Sequence, residues 1–236
     1  MIEKMLTDPF AFFEAFPTGQ SLSVVGNSGS LAAWRMGRVI DRADVVIRFN
    51  ECRLRGWKAQ VGERTDLLIT NPYVEKRERT IGIEVHPKMA MVIFPHQRRG
   101  SRQELFDWLG GVPVVMTFAP RLLKVSDLSS PLTISTGTYG VYLVSRLLLP
   151  SRMFVTGFSM FSAHYAPYYW SAAMPPGVAK HDFPREALVF AQLLNTFNHP
   201  IEITPDVAEI FAVAQVKIGN HIRMITPAPG DGGNLQ

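Results

Sequence analysis

Short β-branched runs alternate with stretches of helical spacing along this chain, beginning with Leu22 to Val25, then Leu31 to Ile40, then Val45 to Phe49. That order predicts a strand–helix–strand opening. Further strands are expected at Leu67 to Thr70, Met91 to Phe94, Val112 to Met116, Met153 to Thr156 and Ile201 to Ile203. Each is a nearly continuous apolar run of the kind buried on both faces. Helices are expected from Ser101, where Ser101 and Glu104 fit a capping box, from about Gly137 to Leu149, from Pro184 to Phe197, and from Asp206 to Val216. A mostly parallel central sheet flanked by helices follows. No internal repeat is visible, so one domain is expected over residues 1–226, with a frayed Gly- and Pro-rich tail over 227–236.

Composition narrows the classes. A chain of 236 residues with 47% hydrophobic content can bury a real core, which excludes disorder for most of its length. Lys plus Arg exceed Asp plus Glu by 24 − 20 = 4. That mild excess suits anionic ligands or an acidic membrane surface and is too small to argue for nucleic acid. The lone Cys52 can form no intrachain disulfide, and no Cys cluster exists to bind zinc, so a reducing compartment such as the cytoplasm is expected. Glu3, Asp8 and Glu14 break up the apolar start, which lacks the form of a signal peptide. The longest apolar region, Gly140 to Pro150, is interrupted by Ser145 and Arg146 and falls short of the about 20 residues that span a bilayer. The expected protein is soluble or peripheral to the inner face of a membrane.

Several segments carry polar chemistry. Gly26-Asn27-Ser28-Gly29 leaves a predicted strand for a predicted helix, which would bring free N–H groups and a helix dipole to the carboxyl edge of the sheet, where a phosphate can bind. An ordinary turn uses the same residue types. The segment lacks the third glycine of a dinucleotide fingerprint and the Gly-Lys-Ser/Thr of a P-loop, and its serine is misplaced for a nucleophile elbow. Ile134-Ser135-Thr136-Gly137-Thr138 offers either a second anion cradle or a plain N-cap before an apolar helix. Asn50, ending a strand, is either a turn residue or a ligand group. His181 stands before the helix opened by Pro184, whose dipole favours the neutral imidazole, a competent base. Asp182 and Glu186 can cap that helix or orient the histidine. His164, seventeen positions earlier in an aromatic loop, alone would be a surface or packing residue; paired with His181 it suggests charge neutralisation on a second substrate.

In this order the segments resemble the animal-type sialyltransferases, the glycosyltransferase family 29 enzymes with four sialylmotifs. VVGNSGSL, continuing through Arg38 to Asp41 and Asp44 to Asn50 to Val61-Gly62-Glu63-Arg64-Thr65-Asp66, is similar to the large motif. Ser135-Thr136-Gly137 with Val155-Thr156-Gly157-Phe158 resembles the small motif, His164-Tyr165 the third, and His181 with Glu186 the very small motif. The resemblance implies a Rossmann-like, GT-A-type (variant) α/β fold and inverting transfer of sialic acid from a CMP-activated donor to a glycan hydroxyl. It makes His181 the base and places His164 at the donor phosphate. Asn27 and Asn50, with the adjoining Ser28 and Gly29, would meet the phosphate and ribose, while Ser135, Thr136, Gly137 and Gly157 would line the nucleotide pocket. Glu186 would support the very small motif. Partners would be CMP-sialic acid or, as a rival donor, CMP-Kdo, with a glycan acceptor that includes lipid-linked glycans.

Ser23 stands where the family's large motif usually has a disulfide cysteine, the third motif continues His-Tyr-Ala-Pro, and no stem or anchor is recognised. These departures point to a compact bacterial or viral member held by packing. No Asp-x-Asp pair of the metal-dependent sugar transferases is present, so no metal and no cofactor are expected. Two competitors stay open. A nucleotidyltransferase or dehydrogenase would use Gly26 to Gly29 but leave the histidines unexplained, and a non-catalytic nucleotide- or anionic-glycan-binding module would rely on cations such as Arg98, Arg99 and Arg102.

Overall fold

All five residues of Ser21–Val25 are buried, the pattern of a strand covered on both faces. This strand, β1, lies inside an eight-stranded sheet with the order β5-β4-β3-β2-β1-β6-β7-β8. The others are β2 (Val45–Phe49), β3 (Leu67–Thr70), β4 (Met89–Phe94), β5 (Val114–Phe118), β6 (Arg152–Thr156), β7 (Ile201–Ile203) and β8 (Ile222–Met224). Every neighbouring pair is parallel. The computed structural model describes residues 8–72, 84–94, 102–118, 134–174 and 178–227. Its helices are α1 (Pro9–Ala15), α2 (Gly37–Ile40), α3 (Lys58–Val61), α4 (Arg102–Leu109), α5 (Thr136–Leu148), α6 (Phe183–Asn195) and α7 (Pro205–Val213).

The period of two along each strand divides the core between the faces. Leu22, Val24, Ile47, Leu67 and Ile69 pack with Val141 and Val144 of α5, Phe190 and Leu194 of α6 and Val207 and Phe211 of α7. Val25, Val46, Leu68 and Val92 pack on the other face with Ile40, Val61, Leu105 and Trp108. The chain steps outward from β1 to β5, crosses beneath the opposite face as α5, and returns beside β1 as β6. Parallel crossovers keep one hand, so reversing direction requires changing face. At that reversal the carboxyl ends of β1 and β6 open a crevice, the usual ligand position in such sheets.

The amino ends are closed by a clasp within residues 41–66. The Asp41 carboxylate accepts the N–H groups of Glu63 (2.9 Å) and Arg64 (3.1 Å). Arg64 in turn donates to the carbonyls of Asp41, Ala43 and Asp44 and to the Asp66 carboxylate, which also receives Val46 N–H. Much of the second half of the run likened to the large motif therefore serves architecture. Ser23 is buried in β1 with its hydroxyl unpartnered among the described residues, and Cys52 is a buried thiol whose pKa burial pushes up to about 12.

The strand positions match the sequence expectation within about two residues, with one shift at β5 that has a simple cause: Pro113 has no N–H to donate, and pairing begins after it. The expected continuous helix over Leu31 to Ile40 is corrected to a 3-10 turn, Gly29–Ala33, and the separate α2. Trp34 is extended between them, and Met36 N–H donates to Gln60 O, tying the chain to α3 where an unbroken helix would have kept that group. The helix expected over Asp206 to Val216 ends at Val213. Ser101 of the expected capping box and the tail beyond Pro227 lie outside the described residues. α1, α3 and β8 were not expected. Asp8 caps α1 by accepting Phe10 N–H, with Pro9 in the first turn, and the α1 face is fixed by Phe12 and Phe16, whose ring centroids lie 5.3 Å apart.

α5 ends at Leu149, which is 62% exposed and left-handed at φ 42°. A left-handed L-residue costs about 1–2 kcal/mol, more than the about 0.5–1 kcal/mol that glycine adds in chain entropy. Leu149→Gly should therefore raise stability by up to about 1 kcal/mol, read as a higher urea midpoint at unchanged slope. A lower midpoint would show that the exposed leucine makes a contact worth more than its strain.

Candidate functional site

Two glycines define the crevice. Gly157, at φ +76°, follows β6, and Gly26 follows β1 so closely that a Cβ on Gly26 would lie 2.1 Å from Gly157 O. Gly26 N–H donates to Thr156 O and Ser28 N–H to Gly157 O, so the two strand ends are laced together. Gly29 N–H donates to Ala166 O, Ser30 N–H to the buried Ser28 hydroxyl, and Leu31 N–H to Ser28 O. Of the run Gly26 to Leu31, only Asn27 N–H lacks an acceptor among the described residues. The row of free N–H groups expected here is thus corrected: the turn is a packing joint, and the helix behind it is a 3-10 turn with no long dipole.

Asn27 is fixed with equal firmness. Its Nδ2 donates to Phe49 O (2.8 Å) and Glu51 O (3.1 Å), which engages both amide hydrogens, while its buried Oδ1 has no partner among the described residues. What its side chain still offers is an acceptor, suited to a ligand hydroxyl or N–H and unsuited to a phosphate oxygen. Beneath the joint lies the wholly buried Asp206 of α7. Its Oδ2 accepts from Ser30 Oγ (2.7 Å), its Oδ1 lies 2.5 Å from Thr204 Oγ1, and Gly157 N–H also bonds to it. Burial pushes the Asp206 carboxyl up to about 6, against those hydrogen bonds.

The second expected cradle is open. Ser135 caps α5, its hydroxyl accepting Thr138 N–H (3.2 Å). Thr136 and Gly137 N–H groups, in the first turn, have no acceptor among the described residues, and a Cβ on Gly137 would press to 2.9 Å from the Phe158 ring. Thr136 Oγ1 accepts from Asn71 Nδ2 (2.8 Å). Asn71 Nδ2 also lies 3.3 Å from Asn50 Oδ1, and Thr70 Oγ1 lies 3.4 Å from that oxygen. These contacts turn the Asn50 carbonyl inward and its amino group away from them, on a backbone at φ 51°. Asn50 and the α5 start are thereby joined in one polar row across β2, β3 and α5.

His181 faces Glu186, whose carboxylate is bonded to this row. That carboxylate is fully buried: Oε1 accepts Ser135 N–H (3.0 Å) and the Thr138 hydroxyl (2.6 Å), and Oε2 faces His181 Nδ1 at 3.6 Å. Asp182 caps α6 by accepting Arg185 N–H. Phe183 stacks on the His181 ring at 5.4 Å and meets Phe161 at 4.9 Å, which links His181 to the aromatic loop that carries His164. His164 itself is 76% exposed and pairs, through Nδ1, with Glu209 of α7 at 2.7 Å. The loop is anchored to the glycine joint by Tyr169 N–H on Asn27 O.

Asn71, Asp206 and Glu209 were not singled out as site residues in the sequence. Asn71 carried the signal that selected Asn50, an asparagine directly after a strand, and Asp206 follows β7 in Thr-Pro-Asp. Glu209 carried none. Arg98 and Arg99 lie outside the described residues, as does the Arg102 side chain.

An eight-stranded parallel sheet thus carries a polar crevice at its switch point, the ligand position of doubly wound α/β proteins, with a histidine facing a buried carboxylate beside a helix start. Residues 19–109 match the model of glycosyltransferase family 29 (sialyltransferase). That match is a likeness to this family over the part of the chain that carries β1 to β4 and α4. A CMP-N-acetylneuraminate-beta-1,4-galactoside alpha-2,3-sialyltransferase of Mus musculus is 45% identical over 49 residues, which are 21% of this chain and 13% of the relative. The chain thus matches about an eighth of the length of its curated relatives. Two crystal structures of a mammalian sialyltransferase share the fold. One gives a TM-score of 0.53 at 17% identity, and one in complex with Gal-beta-1-3GalNAc-ortho-nitrophenol gives 0.51 at 16%. Each alignment covers 96% of this chain and 78% of the other.

Proposed function

We propose that the protein is an inverting sialyltransferase that moves sialic acid from CMP-sialic acid to a glycan hydroxyl. The observation that carries the reading is the joining, through Glu186, of an open helix start to a candidate base. Thr136 and Gly137 N–H groups can receive the donor phosphate, and the same carboxylate that binds Ser135 and Thr138 faces His181. In this scheme His181 takes the proton of the acceptor hydroxyl as its oxygen bonds to the anomeric carbon. The bond from that carbon to the CMP phosphate breaks on the opposite face, and its electron pair leaves on the phosphate oxygen. His164 and the α5 start meet the charge that develops there. The Asn27 acceptor fits a nucleotide or sugar hydroxyl, and the Asn50 amino group fits the phosphate or ribose.

Incubation with CMP-sialic acid, and in parallel with CMP-Kdo, with and without simple and lipid-linked glycans, tests the reading through CMP release. Acceptor-dependent release from CMP-sialic acid is expected. Release from CMP-Kdo alone would reassign the donor, and CMP binding without turnover of either would leave a nucleotide-binding module.

The scheme asks for no divalent ion. A singly linked phosphate needs less charge stabilisation than a diphosphate, and the chain has no Asp-x-Asp pair. Transfer should persist in excess EDTA and gain little from added Mg²⁺ or Mn²⁺. Loss on chelation with recovery on adding metal would overturn this part of the mechanism.

A further inference from the structure

α7 reaches the candidate site twice, through residues on one helical face. Asp206, in its first turn, is fixed beneath the glycine joint, and Glu209, three residues on, faces the loop above it. Glu209 Oε1 receives the Ser162 hydroxyl (2.9 Å) and lies 2.7 Å from His164 Nδ1. Ser162 Oγ also lies 3.4 Å from His164 N, so one carboxylate and one hydroxyl hold both ends of the residue. An ionised carboxylate offers only lone pairs, so at this distance Nδ1 must be the nitrogen that carries hydrogen. Nε2, on the far edge of a ring whose side chain is 76% exposed, is left as the working nitrogen.

We propose that Glu209 is a positioning residue for His164: it fixes the Nδ1–H tautomer and ring orientation, so that Nε2 faces the donor phosphate and can hold a proton against it. The proposal rests on the transferase reading above. A proton taken up on Nε2 makes the ring a cation between the Glu209 carboxylate on one side and the phosphate on the other. Without the carboxylate, an exposed ring on a loop would sample both tautomers and several rotamers. Glu209 touches neither substrate, and its effect should fall on turnover more than on binding.

The test uses the full chain labelled with ¹⁵N at histidine, as wild type, Glu209→Gln and Glu209→Asp. Two-bond ¹H–¹⁵N correlation of the His164 ring reads the tautomer directly. Wild type should show the neutral ring protonated on Nδ1, and Glu209→Gln should shift population toward Nε2–H. In the transfer assay Glu209→Gln should lower kcat about tenfold, with KM for the CMP-sugar changed less than about twofold, and Glu209→Asp should recover part of the loss. Combining Glu209→Gln with His164→Ala should cost no more than His164→Ala alone. An unchanged tautomer in Glu209→Gln, or a changed tautomer with wild-type kcat, overturns the proposal. A changed tautomer in a protein that transfers no sugar supports the pairing and overturns the transferase reading instead.

Discussion

His181→Ala should lower sugar transfer by about 100-fold or more while leaving CMP binding largely intact. Loss of a positioned general base is typically a loss of about 10²–10⁴-fold, and the nucleotide groups proposed here belong to other residues. The ring sits over Phe183 and against a fully buried carboxylate, so its removal takes away one proton acceptor and opens the Glu186 Oε2 edge to water. Glu186→Gln should fall short of this effect on turnover, since the contact to His181 is 3.6 Å and the ring keeps its stack on Phe183. Glu186→Gln should also cost stability, because Ser135 N–H and the Thr138 hydroxyl both donate to Oε1 and an amide oxygen accepts more weakly than a carboxylate oxygen. Steady-state kinetics beside CMP titration separates the two effects. Near-normal transfer by His181→Ala would remove it from the role of base.

The sheet was legible because burial on both faces leaves a run such as Val45 to Phe49 with few polar interruptions and clear ends. Even there the pattern contains an exception, Arg48, whose side chain is buried and whose Nε and Nη2 are taken by the carbonyls of Arg64 and Val61. Two short elements escaped, as did the seven-residue α1: α3 completes barely a turn, and β8 buries only Ile222 of its three residues. The split of the helix before β2 was also hidden. It depends on Met36 and Gly37 meeting α3, some twenty positions along the chain.

Site residues were legible where local chemistry marks them. Ser135 reads as a cap and is one, and His181 reads as a residue at a helix start and lies there. Glycine spacing misled at Gly26 to Gly29, because the same residues serve a phosphate nest or the close approach of two backbones. Only the position of β6 beside β1 decides between them. The carboxylates that organise the site, Glu209 and Asp206, act on residues far from them in sequence, which no local pattern records.

The stability of the wild type should fall by roughly 2 kcal/mol between pH 4 and pH 6.5 through Asp206 alone, and Asp206→Asn should abolish that decline. The carboxyl is pushed up to about 6 in the folded chain, from an ordinary value of 3.8, chiefly by burial. Between those two values the native state holds a proton that the unfolded chain has released. Fewer protons on the unfolded state mean that the free energy of unfolding drops as pH rises through this window. Below it both states are protonated, and above it both are ionised, so the contribution is level on either side. Asparagine keeps an acceptor oxygen for Ser30 and Gly157 but does not titrate. Urea unfolding of wild type and Asp206→Asn at pH 4 and pH 7 measures the difference, in which other titrating groups largely cancel. The variant should be relatively more stable at pH 7 than at pH 4. Parallel pH profiles would show that Asp206 ionises in the folded chain as it does in the unfolded one, and that the buried joint between β1, β6 and α7 already carries its charge at pH 4.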